Sequence, residues 1–227
     1  MLQVFIGYDP RESVAFYTLA HSIFARSSIP LAVVPLMRRH LGHLYTRARG
    51  PTESTEFSLT RFLVPALSGY EGWSLYMDCD MLCRTDIAGL VALTERAGEA
   101  VLVCKHDYVP KTERKFLNQV QTKYARKNWS SLMLFNNQRC RALSPEYVSA
   151  ASGLDLHRFA WLADDQIGAV PLEWNWLVGE YPHDANAKIV HFTRGGPYFD
   201  EYRDCDYAAE WLAEYEAMRS RDELIKP

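Results

Sequence analysis

The chain has 227 residues, 48% of them apolar and 13% aromatic, enough for one sizeable core or two intertwined halves. Its formal net charge of -3 and sequence pI near 6.2 give no global basic field. Non-specific nucleic-acid binding is thereby set aside, and any anionic ligand must be met locally. MLQVFIGYDP lacks the basic and apolar regions of a signal peptide, and nowhere do about 18 apolar residues run together. Five cysteines without a CxxC pair (Cys79, Cys83, Cys104, Cys140, Cys205) argue against a disulfide framework or structural zinc. The expectation is a cytoplasmic protein with free thiols.

LQVFIG is a short apolar run stopped by Gly7, and SVAFYTLAHSIFARSS follows with Val14, Tyr17, Leu19, Ile23 and Phe24 at helical spacing. Strand, loop and helix are expected in turn. PLAVVPL reads as a second buried strand, and the polar, basic stretch RRHLGHLYTRARGPTESTE as a loop or flap. FSLTRFLVPAL predicts a helix through Leu59, Phe62 and Leu63 that Pro65 limits. Arg61 on it is either an exposed helix residue or, between apolar neighbours, a functional one. WSLYM predicts a strand, DIAGLVALTERAG a short helix, and AVLVCK and SSLMLFN two further strands. Strands alternating with helical stretches specify an α/β protein with a mainly parallel sheet.

KHDYVPKTERKFLNQVQTKYARKN is either a solvated linker or helix face, or a surface that recognises an acceptor. In ADDQIGAVPL, the polar residues read by themselves as a helix start with an N-capping Asp. LEWNWLVGEY sets Trp174 and Trp176 on one side of an extended chain and Asn175 on the other. The tryptophans suit a core strand or an acceptor-side stacking surface. DYAAEWLAEYEAMRSRDEL aligns Ala208, Trp211, Leu212, Tyr215 and Met218 on one stripe of an amphipathic helix. Its acidic polar face favours docking onto the protein over anionic lipid, with peripheral membrane contact as the alternative.

SLYMDCDMLCRTDI places Asp78 and Asp80 one residue apart directly after an apolar run. In an extended segment both project to one side while Cys79 projects to the other. They are either solvated turn residues or, at the carboxyl end of a strand in an open α/β sheet, ligands of a divalent cation that relieves their repulsion. In AKIVHFTRGGPYF an apolar strand delivers His191 as a candidate third ligand, and Gly195 and Gly196 bring backbone close to the cleft. Carboxylates with one imidazole suit Mn2+, with Mg2+ as the alternative.

The ordered set IGYD, TRFLVPAL, LYMDCDM, SSLMLFN, LADDQI and HFTRGGPYF, spanning residues 2 to 199, resembles the family 8 glycosyltransferases, which include glycogenin and bacterial lipopolysaccharide galactosyltransferases. The resemblance implies a GT-A-type, Rossmann-like single domain with a mainly parallel mixed sheet flanked by helices. It also implies a retaining transferase with a nucleotide-sugar donor, usually UDP-linked, a glycan or other hydroxyl acceptor, and Mn2+ at the diphosphate. Asp78, Asp80 and His191 would hold the metal, with Asp80 the firmer carboxylate and Asp78 also near the ribose. Gly7, Tyr8 and Asp9 would hold the nucleobase, Tyr8 by stacking, and Asp78 with Cys79 would line the nucleotide. Arg61 would stand near the donor sugar and diphosphate, and Asp165 with Gln166 would line the sugar's reactive face.

Two departures stand out. Gly196 occupies the place of a family lysine before Pro197, so that Arg194 or the amides of Gly195 and Gly196 would serve the diphosphate instead. Trp129 stands where the family tends to have asparagine, with Asn128 one residue earlier. The expected organisation is a nucleotide-binding half over 1–100, a sugar and acceptor half over 101–199 and a C-terminal amphipathic helix within 200–227. The alternatives are a catalytically degenerate nucleotide-sugar or glycan-binding module and a nucleotide-sugar pyrophosphorylase, whose Gly-rich basic signature IGYDPRES lacks.

Overall fold

The computed structural model describes residues 1–50, 53–96, 98–108, 114–115, 119–120 and 125–222. Much of the basic 105–127 stretch and the end of the C-terminal segment, 223–227, lie outside the described residues.

In chain order the strands are β1 (Leu2–Gly7), β2 (Leu31–Leu36), β3 (Trp73–Met77), β4 (Met81–Cys83), β5 (Val101–Cys104), β6 (Arg114–Lys115), β7 (Gln119–Val120), β8 (Leu132–Asn136), β9 (Ile167–Val170), β10 (Trp176–Leu177) and β11 (Ile189–His191). The α-helices are α1 (Ser13–Arg26), α2 (Val64–Leu67), α3 (Ala88–Val91), α4 (Pro145–Ala150), α5 (Gly153–His157) and α6 (Ala208–Asp222), with single 3-10 turns between many of them. Six strands form a central sheet in the order β2-β1-β3-β8-β5-β9, and three form a smaller one in the order β10-β11-β4. In the central sheet only β8 runs against its neighbours; β2, β1 and β3 are parallel to one another, as are β5 and β9. Central strands covered on both faces read as continuous apolar runs. Accordingly Leu75, Tyr76 and Met77 of β3, Val101 and Val103 of β5, and Leu132 to Phe135 of β8 are fully buried.

PLAVVPL departs from its expected burial. It forms the edge strand β2, half-exposed along most of its length, and Pro35 is tolerated there because an edge strand has one side that needs no ladder donor. The helix α1 turns Ala15, Phe16, Leu19 and Ile23 inward, while Tyr17 and Phe24 are more than half exposed. Each large residue on the inward face contributes about 1.5–3 kcal/mol of burial. FSLTRFLVPAL is one 3-10 turn, Thr60–Leu63, followed by the four-residue α2 with Pro65 in its first turn, the position where a missing N–H costs nothing. The turn Asp164–Gln166 leads into strand β9 rather than a helix, and Ala163 occupies its N-cap.

The small sheet packs Leu82, Val190 and Phe192 against Tyr207 and Trp211 at the start of the C-terminal helix. Along α6, Ala208 and Trp211 are buried as the stripe predicts, but Leu212 is exposed and Glu214 is buried. Glu214 accepts from His21 Nδ1 at 2.5 Å and pairs with Arg26 at 2.6 Å, both on α1. Burial alone would raise its carboxyl, but the bonds to Arg26 and His21 outweigh that and hold it below its ordinary value. A depressed carboxyl stabilises the fold above its unfolded-state pKa and loses that contribution as pH falls through the folded value.

Glu214→Gln should therefore lower the unfolding free energy by about 1–2 kcal/mol at neutral pH and flatten the acid-side fall in stability. Urea midpoints measured from neutral pH to about pH 3.5 check this; wild-type midpoints and slope in the variant would remove Glu214 as the anchor between α1 and α6.

Candidate metal and donor site

β3 ends at Met77, and the ladder continues one step further as Asp78 N–H donates to Ser131 O at 2.9 Å. Asp78, Cys79 and Asp80 then carry the chain from the central sheet into β4 of the small sheet. Antiparallel to β4 runs β11, in a register that sets His191 opposite Met81, and Phe192 N–H donates to Asp80 O at 2.8 Å. The crossing between two sheets thus brings together residues more than a hundred positions apart. Ligand atoms of Asp78, Asp80 and His191 all lie within 4.8 Å of one another. All three residues are buried, at 9%, 8% and 2% relative exposure.

The two carboxylates are held differently. Asp78 Oδ1 accepts from Tyr76 Oη at 2.7 Å and Arg61 Nη1 at 2.8 Å, so two donors fill that oxygen and Oδ2 carries the remaining lone pairs. Burial pushes the Asp78 carboxyl up, Arg61 opposes the shift and Asp80 adds to it. Asp80 Oδ1 instead faces His191 Nε2 at 3.3 Å, and His191 Nδ1 meets Asn175 Oδ1 at 3.0 Å. Arg61 thus relieves part of the carboxylate repulsion that the sequence alone assigns to a cation. Two carboxylates and an imidazole converging at this distance remain a fitting donor set for Mn2+ or Mg2+.

Arg61 is not an exposed helix residue. It is buried at 5%, donates to Ser130 O at 2.9 Å and Phe57 O at 3.3 Å, and lies over the rings of Phe57 and Tyr76. Phe57 also explains Gly7, where any Cβ would stand 2.4 Å from its ring. Tyr8 is half-buried with its ring edge-on to Phe16. Asp9 is buried, and its carboxylate takes two bonds from the Arg11 side chain and one each from the backbone N–H groups of Arg11 and Glu56. That carboxylate orders its own loop rather than presenting itself to a nucleobase. Cys79 is fully buried in the core, where desolvation pushes its thiol well up. Its side chain lines no ligand surface.

The last glycine-rich motif also departs from expectation. Gly195, at φ 133°, donates its amide internally to Phe192 O at 2.8 Å, and Arg194 reaches back to Gly179 O at 3.4 Å. A Cβ at Gly196 would stand 2.4 Å from the Tyr198 ring, whose hydroxyl donates to buried Glu12 at 2.8 Å. A lysine cannot stand where Gly196 does unless Tyr198 moves.

Asp165 and Gln166 are not brought to the cluster. They are exposed at the start of β9, where Ile167 pairs with Val101, whereas the end of β9, Val170, pairs with Cys104. Through the register of β5 and β8 this puts them at the opposite edge of the sheet from Asp78. Gln166 Oε1 caps its own turn by accepting from Ala163 N–H at 3.0 Å. Trp174 is buried and packs beneath Lys188, so it offers no stacking face, while Trp176 is half-buried against Tyr181.

Beside Asp78 and Arg61 opens a cavity of about 390 Å³ whose wall is part polar and part apolar, with Ser54, Asn128, His157 and Lys127 beside Leu59 and Leu154. Sequence reasoning missed Tyr76 and Asn175 as partners of the cluster. A lone asparagine in the apolar run EWNWLV was the available signal for the second. Among the described residues no helix is long and apolar enough to cross a membrane.

No protein-family model matches the chain. It is 46% identical over 223 residues to Protein CDI of Arabidopsis thaliana, covering 94% of this chain and 86% of that protein. Among solved structures it superposes on the bifunctional glycosyltransferase WbbM with a TM-score of 0.66 at 14% identity, covering 94% of this chain and 49% of the other. The chain thus spans about half of WbbM. It superposes on the glycosyltransferase GlyE of Streptococcus pneumoniae TIGR4 with a TM-score of 0.60 at 12% identity, covering 100% of this chain and 66% of GlyE. For the galactosyltransferase LgtC the TM-score is 0.60 at 12% identity, with 95% of each chain covered. The architecture is the GT-A fold.

Without Arg61 the buried Asp78 loses the guanidinium that offsets its desolvation. Arg61→Met should cost about 3–5 kcal/mol of stability, most of which returns in the double variant with Asp78→Asn. Urea denaturation of the four proteins measures the coupling; strictly additive losses would show that the two side chains do not depend on each other.

Proposed function

The chain belongs to the family of Arabidopsis thaliana Protein CDI, and from the GT-A fold and the site within it we propose that it is a metal-dependent glycosyltransferase. It would move a sugar, with retention, from a nucleotide-sugar donor, taken to be UDP-linked, to a hydroxyl of a glycan or other acceptor. The observation that carries this reading is the buried cluster of Asp78, Asp80 and His191 at the carboxyl edge of the sheet, where open α/β folds bind ligands.

Glycosyl transfer breaks a bond between the anomeric carbon and a phosphate, so negative charge grows on the diphosphate as it leaves. Asp78, Asp80 and His191 would hold a divalent ion, which when bound would supply Lewis-acid stabilisation of that charge. Arg61 serves the site indirectly, because its guanidinium is bound to Asp78 and to the carbonyls of Ser130 and Phe57; it aims one carboxylate and balances its charge. Tyr8, at the end of β1 on the same edge, is the proposed stacking partner of the base. The cavity beside Asp78, with polar and apolar wall side by side, suits a sugar ring, which presents both hydroxyls and C–H faces. Asp165 and Gln166 take no part in this account.

A second reading is a sugar-nucleotide or glycan-binding module. It is favoured by the glycine-rich motif, where Tyr198 fills the lysine's space and the Gly195 amide is bonded internally, so the diphosphate has fewer donors than the family pattern supplies.

Incubation with a panel of UDP-, GDP- and ADP-sugars should give Mn2+-dependent release of nucleoside diphosphate. Asp80→Asn should reduce that release by at least about 100-fold, the effect expected from loss of charge stabilisation at the leaving group, with thermal stability nearly unchanged. A folded Asp80→Asn protein with wild-type release would sink the site assignment, and metal-independent binding of a sugar nucleotide without release would favour the module.

A further inference from the structure

Buried behind the cluster, a chain of hydrogen bonds determines which nitrogen of His191 is bare. Ser131 Oγ–H donates to the backbone carbonyl of Asn128 at 2.7 Å, an acceptor with no proton of its own. The Ser131 oxygen must therefore accept from its other neighbour, Asn175 Nδ2, at 2.8 Å. That orients the Asn175 amide, so its carbonyl oxygen is the atom 3.0 Å from His191 Nδ1, and this ring nitrogen must carry the proton. Nε2 is then left with a lone pair, 3.3 Å from Asp80 Oδ1.

We propose that Asn175 and Ser131 are positioning residues for metal binding, a relay that holds His191 in the Nδ1–H tautomer with Nε2 turned toward the carboxylates. Asn175 is fully buried and Ser131 nearly so, in keeping with a role behind the ligand rather than on the substrate. The relay begins at the cavity wall, since Asn128 and Ser131 both line that cavity, and ends at the metal ligand. Hydrogen bonds of this kind orient the ligating imidazole and raise its basicity, and their loss costs about 10–100-fold in metal affinity. The inference rests on the metal reading above.

Mn2+ titration of the full chain, followed by electron paramagnetic resonance with nitrogen-coupling measurements, separates the two. Asn175→Ala should weaken Mn2+ binding by about 10–100-fold and diminish the imidazole nitrogen coupling. Asn175→Asp, which keeps an acceptor for Nδ1–H and can accept from a Ser131 hydroxyl turned away from Asn128 O, should bind within a few-fold of wild type, and Ser131→Ala should fall between them. A folded Asn175→Ala protein with wild-type affinity and nitrogen coupling overturns the relay, as does an equal loss in Asn175→Asp. Should Asn175→Ala not fold, Ser131→Ala carries the test: wild-type affinity and coupling there overturn the relay, weaker binding supports it. Wild-type protein that binds no Mn2+ overturns the metal reading and the relay together; wild-type binding with unaffected variants overturns the relay alone.

Discussion

An ionised carboxylate costs several kcal/mol to bury unless it is paired or bonded, and the chain just beyond β3 carries two carboxyl groups, Asp78 and Asp80, beneath the surface. Their satisfaction organises the surroundings. Asp78 draws in Arg61, which brings the 3-10 turn Thr60–Leu63 against the sheet and seats Phe57 over Gly7. Asp80 faces His191, which holds β11 and the small sheet to the edge of the large one. One step of chain, from Asp78 to Asp80, ties the two sheets, the Arg61 turn and the Asn175 loop into a single site.

The divided roles of the pair carry a functional consequence. Asp78 is committed through Oδ1 to protein donors, so it offers fewer lone pairs to an ion than Asp80. Arg61, expected near the diphosphate, is a component of the scaffold that aims Asp78. On the other side of the cleft Tyr198 occupies the space above Gly196 and links the last motif to Glu12, just before the first helix. The space beside Gly196 is therefore filled by an aromatic ring whose hydroxyl is bound to a buried carboxylate.

Element types were legible where the pattern was strong. The apolar runs of β1, β3, β5 and β8 and the helix α1 fall where periodicity puts them, because central strands buried on both faces cannot tolerate polar residues. Burial was less legible. PLAVVPL looks as apolar as a core strand, but edge position is decided by which strands pair, and that is a property of topology. The α1 face was misassigned for a related reason: Tyr17 and Phe24 satisfy a helical stripe, yet the stripe that packs is the one facing β4 and α6. Leu212 and Glu214 exchange expected places on α6 because a buried acid is tolerated only where His21 and Arg26 already wait for it.

Sequence by itself determined the α/β class, the placement of an Asp-x-Asp pair at a strand end and the candidacy of His191, since alternation along a strand and apolar flanks are local facts. Only the tertiary structure decided that the three side chains meet, because their meeting depends on the antiparallel register of β4 and β11. The same holds for the separation of Asp165 and Gln166 from the cluster: a motif match carries residue types, whereas the edge of the sheet on which they stand depends on strand direction and register.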